Sequence, residues 1–253
     1  MKKLLITLLI NLSLSAHIYA EDYCEDLKKD SKEVAKCSCE NKEELKECTA
    51  YYASGKLFVQ TKFNDEALDM KSYFVDLKSY YEDGKIQSTI KTINGNLELK
   101  TYHSNGNLIA EISFFDIANL PSEFRANHEL SQETMKKIEA NTYVENLNTK
   151  IKLYYPNGNP NILVQTKDGL IEGEQIMWYE NGNVMTKMPV IQGKRNGKAI
   201  DFYKTGELKA LSDFKDDKEI STTVFYKSGK EKCEYKADQN GNVPLVIVKQ
   251  LQS

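Results

Sequence analysis

Residues 178–184 read Trp178-Tyr179-Glu180-Asn181-Gly182-Asn183-Val184: an aromatic pair, two turn-forming residues, a glycine and, one residue on, an apolar side chain. The same order occurs at Tyr51-Tyr52-Ala53-Ser54-Gly55, Tyr80-Tyr81-Glu82-Asp83-Gly84 and Tyr102-His103-Ser104-Asn105-Gly106. It returns at Tyr154-Tyr155-Pro156-Asn157-Gly158, Phe202-Tyr203-Lys204-Thr205-Gly206 and Phe225-Tyr226-Lys227-Ser228-Gly229. Successive glycines lie 29, 22, 52, 24, 24 and 23 residues apart. Self-similarity at a period of roughly 20–50 residues marks a repeat architecture. A unit of this length holds two short strands and two turns. Asn-Gly or Asp-Gly between alternating apolar residues signals a hairpin, because a type I′ turn needs positive φ at both central residues. A looser turn is expected between units, at Gly169-Leu170-Ile171-Glu172-Gly173 and Gly193-Lys194-Arg195-Asn196-Gly197. The expected fold is therefore mainly β, an antiparallel hairpin-repeat meander.

Register follows from the turn. With Asn181-Gly182 as a two-residue loop, Tyr179 falls opposite Val184 and Met177 opposite Thr186. Strand alternation then sorts the units into two faces. One carries Tyr52, Tyr81, His103, Tyr155, Tyr179, Tyr203 and Tyr226, with Leu57, Ile86, Leu108, Val184 and Leu208 opposite five of them. The other carries Tyr51, Tyr80, Tyr102, Tyr154, Trp178, Phe202 and Phe225, opposite Phe58, Gln87, Ile109, Asn161, Met185, Lys209 and Lys232. The uniform set reads as core and the variable set as more exposed. The second face is strongest as a binding row at Trp178, Met185, Phe202 and Phe225. The plainer reading is that the insertion, the N-terminal segment or curling of the sheet covers this row.

The unit of aromatic, Tyr, two residues, Gly, one residue and an apolar residue resembles the MORN-repeat variant of bacterial proteins of the YwqK type. The resemblance runs over about residues 49–237, with departures at Pro160 and Glu231, where the apolar residue after the glycine is missing. It implies a hairpin-repeat scaffold and, through the YwqK-like family, an antitoxin neutralising a toxin.

The chain opens Met1-Lys2-Lys3, then runs apolar over residues 4–14 and ends a leader at Ala20. A positive start, a short apolar stretch and a small residue at the cut describe a secretory signal peptide, residues 1–20. The expected location is the periplasm or the extracellular space. Removing Lys2 and Lys3 moves the formal net charge from −3 to −5. That mild acidity argues against a nucleic-acid partner, whose phosphates call for a basic face, and against a membrane surface. Many Lys, Asn, Ile and Tyr residues beside only two arginines, Arg125 and Arg195, fit a low-GC bacterial genome.

Residues 21–48 are rich in Lys, Glu and Cys and read as a helical hairpin. Export makes Cys24, Cys37, Cys39 and Cys48 two disulfides. Cys24–Cys37 with Cys39–Cys48 and Cys24–Cys39 with Cys37–Cys48 both remain open. Zinc is the sharper alternative, but the spacing lacks the C-x2-C knuckles of structural sites. Cys233 holds the place of Val59, Ser88, Ala110, Ile162, Thr186 and Ala210 in other units, so it reads as a free buried thiol. The 52-residue gap is one repeat plus an insertion at about residues 116–145, where Ser131 to Ile138 suggests a short amphipathic helix. That insertion either packs on the sheet or grips a ligand. Residues 238–253 form a degenerate cap, with a last strand around Val243 to Val248.

No catalytic constellation emerges, and no cofactor is implied. His103 replaces a repeat tyrosine. His128-Glu129 begins a zinc-protease pattern, but Gln132 stands in place of the second histidine. The stretch from Gly193 to Ala199 is one residue short of a phosphate loop and falls at a turn. The expected function is an exported, non-enzymatic scaffold contacting another protein or a surface glycan.

Overall fold

The computed structural model describes residues 23–30, 33–42, 45–64, 74–93, 96–115 and 148–237. The chain forms two compact units, Met1–Asn148 and Thr149–Ser253. In the first, helix α1 (Tyr23–Asp30) precedes β1 (Val34–Lys42), β2 (Leu45–Tyr52), β3 (Leu57–Phe63), β4 (Phe74–Tyr80), β5 (Ile86–Ile93), β6 (Asn96–Tyr102) and β7 (Leu108–Phe115). Each strand pairs antiparallel with the next. The second holds β8 (Asn148–Tyr154), β9 (Pro160–Lys167), β10 (Leu170–Ile171), β11 (Gly173–Trp178), β12 (Val184–Ile191) and β13 (Lys194–Arg195). It continues through β14 (Gly197–Phe202), β15 (Leu208–Lys215), β16 (Lys218–Phe225) and β17 (Glu231–Lys236). There β10 and β11 both pair with β9, and β13 and β14 both pair with β12, so each duo is one strand broken by a bulge. The expected antiparallel meander is present throughout the described residues.

The seven repeat glycines do sit in hairpin loops, but the loop is not type I′. In every unit the amide of the second aromatic donates to the carbonyl of the residue after the glycine, and the glycine amide donates back to the second aromatic. Tyr179 N–H reaches Asn183 O at 2.8 Å, and Gly182 N–H reaches Tyr179 O at 2.9 Å. Only the glycine takes positive φ, 90° at Gly182. This is a three-residue loop closed by a left-handed glycine, with a bulge in the outgoing strand. The residue before the glycine caps the loop: Asp83, Asn105, Asn157 and Asn181 each accept the amide two positions on through the side-chain oxygen. Type I′ turns lie instead between units, at Asp168-Gly169, Gln192-Gly193 and Asp216-Asp217, where both residues have positive φ. Gly193 and Gly169 thus belong to tight turns, not to the looser one expected.

The bulge corrects the register. Trp178, not Tyr179, lies opposite Val184, while Met177 does face Thr186. The same shift precedes Tyr51, Tyr80, Tyr102, Tyr154, Phe202 and Phe225. Phe58, Gln87, Ile109, Asn161, Met185, Lys209 and Lys232 are the extra residues of the bulges, not partners. The core also differs. The second aromatics are half-buried except Tyr52, which is buried, and Tyr226, which is 50% exposed. The buried row runs through mid-strand positions: Cys48, Thr61, Leu77, Ile90, Leu99 and Ile112 are successive cross-strand partners, each under 9% exposed. Burying each aliphatic member contributes about 1.5–3 kcal/mol.

Threonines and a serine are buried in both units, most of them with a hydrogen-bond partner. Thr149 and Thr166 hydroxyls meet at 2.8 Å, Ser212 and Thr222 at 2.5 Å, and Thr61 donates to Asp76 O at 3.2 Å. Among the described residues Thr186 Oγ1 is buried without a partner.

The cysteine-rich segment is not a helical hairpin. Among the described residues of this segment only Tyr23–Asp30 is helical; Cys37, Cys39 and Cys48 lie on β1 and β2, where Cys39 faces Cys48 directly. Cys37 and Cys39, two apart, take the alternation of a strand, and pairing with the repeat sheet outweighs the helical propensity of the Lys/Glu composition. The disulfides are Cys24–Cys37 and Cys39–Cys48, with Cα–Cα distances of 5.3 and 4.1 Å. Zinc ligation by these four thiols is thereby replaced. Cys233 is free but half-buried, not fully buried. Its strand, β17, lacks the repeat's apolar residue and shows Glu231 and Lys232 to solvent. The expected leader at residues 1–20, the expected helix of the insertion with His128, and the expected cap at residues 238–253 lie outside the described residues. Among the described residues no helix is long and apolar enough to cross a membrane.

Candidate functional site

What aligns the aromatic rows is the hydroxyl of the second aromatic. Tyr52 donates to the carbonyl of Tyr80 at 2.7 Å, and Tyr81 to that of Tyr102 at 2.6 Å. In the second unit Tyr155 donates to Trp178 O, Tyr179 to Phe202 O and Tyr203 to Phe225 O, at 2.8, 2.9 and 2.7 Å. Each repeat therefore holds the backbone of the first aromatic of the next. The loops use the same device: Asn157 and Asn159 both donate to Glu180 O, and Asn181 and Asn183 both donate to Lys204 O. His103 stands where this hydroxyl is missing. Tyr226 ends the series, and its hydroxyl meets no acceptor among the described residues.

The ladder has a measurable energetic consequence. Tyr179→Phe leaves the Phe202 carbonyl without its donor and costs about 1 kcal/mol in urea denaturation. Tyr226→Phe, with no such bond to lose, leaves the midpoint unchanged. Equal effects from the two would refute the ladder.

In the second unit the ladder sets Trp178, Phe202 and Phe225 in one line, two strands apart, so about 10 Å separates neighbours. Val184 lies opposite Trp178 and Leu208 opposite Phe202, with Met185 in the bulge between. Trp178, Met185, Phe202 and Phe225 are all half-buried. Trp178, Phe202 and Phe225 thus share one face, and Met185 sits in the bulge next to Val184. The row continues into Leu163, Ile176, Ile200 and Leu211, consecutive across the same face through Lys187. These aliphatics do not stand out in the sequence, because correct strand register is needed to line them up.

The turn at residues 193–199 is built into the sheet. Amides of the stretch at residues 193–199 are engaged by the sheet: Gly193 donates to Ile171 O, Asn196 to Pro189 O and Arg195 to Asp217 Oδ1. The Arg195 guanidinium also reaches Asp217 and lies 4.4 Å from the Phe214 ring centroid. The Arg195 amide, then its guanidinium, hold the Asp217 carboxyl below its ordinary value. Lys62 and Lys42 do the same to Glu47. Burial, with Glu219 as its hydrogen-bond acceptor, raises the Tyr235 phenol. None of these groups lies on the row of Trp178, Phe202 and Phe225. Among the described residues no cluster of three His, Cys, Asp or Glu side chains could hold a metal ion.

No curated protein matches the chain. MORN repeats generally mediate protein or membrane interactions. The model of the MORN repeat variant matches here at residues 76–94, 96–116 and 171–192, each stretch taking in one aromatic-pair hairpin.

Proposed function

We propose that the chain is an exported, non-enzymatic repeat scaffold whose second unit binds another protein through Trp178, Met185, Phe202 and Phe225. The observation that carries this reading is the row itself: large apolar side chains, half-exposed, held in line by hydrogen bonds between repeats. Aromatic side chains fixed in advance lose little conformational entropy on binding and are the usual anchors of interfaces. Two disulfides fit an oxidising compartment, in keeping with the leader. The YwqK-like antitoxin reading is the special case in which the partner is a toxin, and a surface glycan is the other ligand class for an aromatic row. A pull-down from cell envelope and medium with the mature chain tests the proposal. Changing Trp178, Phe202 and Phe225 to alanine reduces recovery of the retained protein by roughly tenfold or more. Equal recovery by natural and variant chains overturns it.

A further inference from the structure

The two units treat charge on their aromatic faces differently. In the first, Glu47, Lys62, Asp76, Lys91 and Glu98 are successive cross-strand partners, so the sign alternates from strand to strand. Lys62 Nζ lies 2.5 Å from Glu47 Oε1, and nearby Lys100 Nζ lies 3.0 Å from Glu111 Oε1. That face neutralises itself.

The second unit does not. On strands β8 to β14, alternation places Lys150, Lys152, Lys187 and Lys198 on the face of Trp178 and Phe202, with Lys167 and Lys194 at its tight turns. Lys152 Nζ stands 4.9 Å from the Tyr154 ring centroid, which fixes the two on one side. A single strand carboxylate, Glu174, shares this stretch of the face. On the adjoining β15, Asp213, which accepts the Ser221 hydroxyl at 3.2 Å, is the cross-strand partner of Lys198 and adds a second carboxylate at the edge of this stretch. Among the described residues Lys150, Lys167, Lys187 and Lys198 have no carboxylate within ion-pair distance. The other acids beside this stretch lie in turns and loops, Asp168, Glu172 and Glu180, or on the other face, Asp201 opposite Thr186; farther along the same face β17 sets Glu231 opposite Phe225 and Glu234 opposite Thr223. A chain of net charge −3 thus carries a basic, half-apolar face.

We propose that this face receives an acidic amphipathic segment of a partner protein. Its apolar side chains lie along Trp178, Phe202 and the aliphatics between them, and its carboxylates meet Lys150, Lys187 and Lys198; Phe225, opposite Glu231, lies beyond the basic stretch. This rests on the reading of the row as a binding surface and adds the sign of what binds. Lysines without ion-pair partners, rimming an apolar strip, favour an acidic partner in both encounter rate and orientation, and make binding salt-dependent.

The test uses the full chain and two synthetic peptides of leucine and phenylalanine, one spaced by glutamate and the other by glutamine. Trp178 is the only tryptophan, so its emission reports the row directly. The glutamate peptide shifts that emission and binds at least about tenfold more tightly than the glutamine peptide, an advantage that high salt removes. The variant Lys150→Glu/Lys187→Glu/Lys198→Glu abolishes the advantage, and its Lys→Gln counterpart reduces it with less risk to folding. Equal binding of the two peptides, or no effect of the lysine changes, overturns the charge assignment while the pull-down still decides the row. Binding of phosphatidylglycerol vesicles or single-stranded DNA, with no binding of the glutamate peptide, overturns it in favour of that polyanion.

Discussion

Replacing Phe63 by alanine destabilises the first unit by about 3–5 kcal/mol, among the largest single-residue effects expected in the chain. Phe63 is 1% exposed at the end of β3, on the same side of the sheet as Thr61 and Val59. Val59, Thr61 and Phe63 are buried in alternation along β3, so truncating the ring leaves a cavity in a packed face. The measurement is urea denaturation followed by far-ultraviolet circular dichroism. Phe115, at the end of β7 and 37% exposed, provides the comparison, and Phe115→Ala costs far less. Similar costs for the two would mean that the buried side of the sheet has been misassigned.

Loss of the Cys39–Cys48 bond, through Cys39→Ser/Cys48→Ser, costs about 3 kcal/mol, the effect of closing a loop of this size. Cys48 is fully buried in the core row beside Thr61, so the cost includes packing as well as loop closure. Cys24–Cys37 ties α1 to β1, and Cys24 Sγ lies 3.7 Å from Cys39 Sγ, so the two bonds form one cluster. Removing both pairs therefore costs less than the sum of the separate losses. Cys233→Ser, at a free and half-buried thiol, changes stability by no more than about 0.5 kcal/mol. A reduced chain with an unchanged midpoint would contradict a structural role for the disulfides.

The repeat was legible in full: all seven glycines that punctuate the sequence take positive φ in the hairpin loops. The kind of loop was not. Asn-Gly suits a type I′ turn and equally a three-residue loop whose asparagine caps the following amide, and the two differ by one bulged residue. That residue changed every aromatic partner, though not the membership of the row Trp178, Phe202 and Phe225. A signal for the ladder was nonetheless present. The second aromatic is tyrosine in six units and histidine in one, whereas the first is Tyr, Trp or Phe. A place that admits no phenylalanine asks for a polar group on the ring, and the structure supplies its acceptor. The strands at Cys37 and Cys48 were hidden by a helix-favouring composition, because only a neighbouring strand gives that alternation its use. The basic face was masked for a different reason. Net charge sums over turns and both faces, and opposite signs on opposite sides cancel in it.

Accessibility of Trp178 tests the binding row most directly. Its emission in the full chain should be quenched by both acrylamide and iodide, with iodide favoured by the nearby lysines, and quenching should fall when the partner retained in the pull-down is added. Blue-shifted emission that resists both quenchers in the free chain would mean that the row is covered, and would contradict its assignment as the surface that binds.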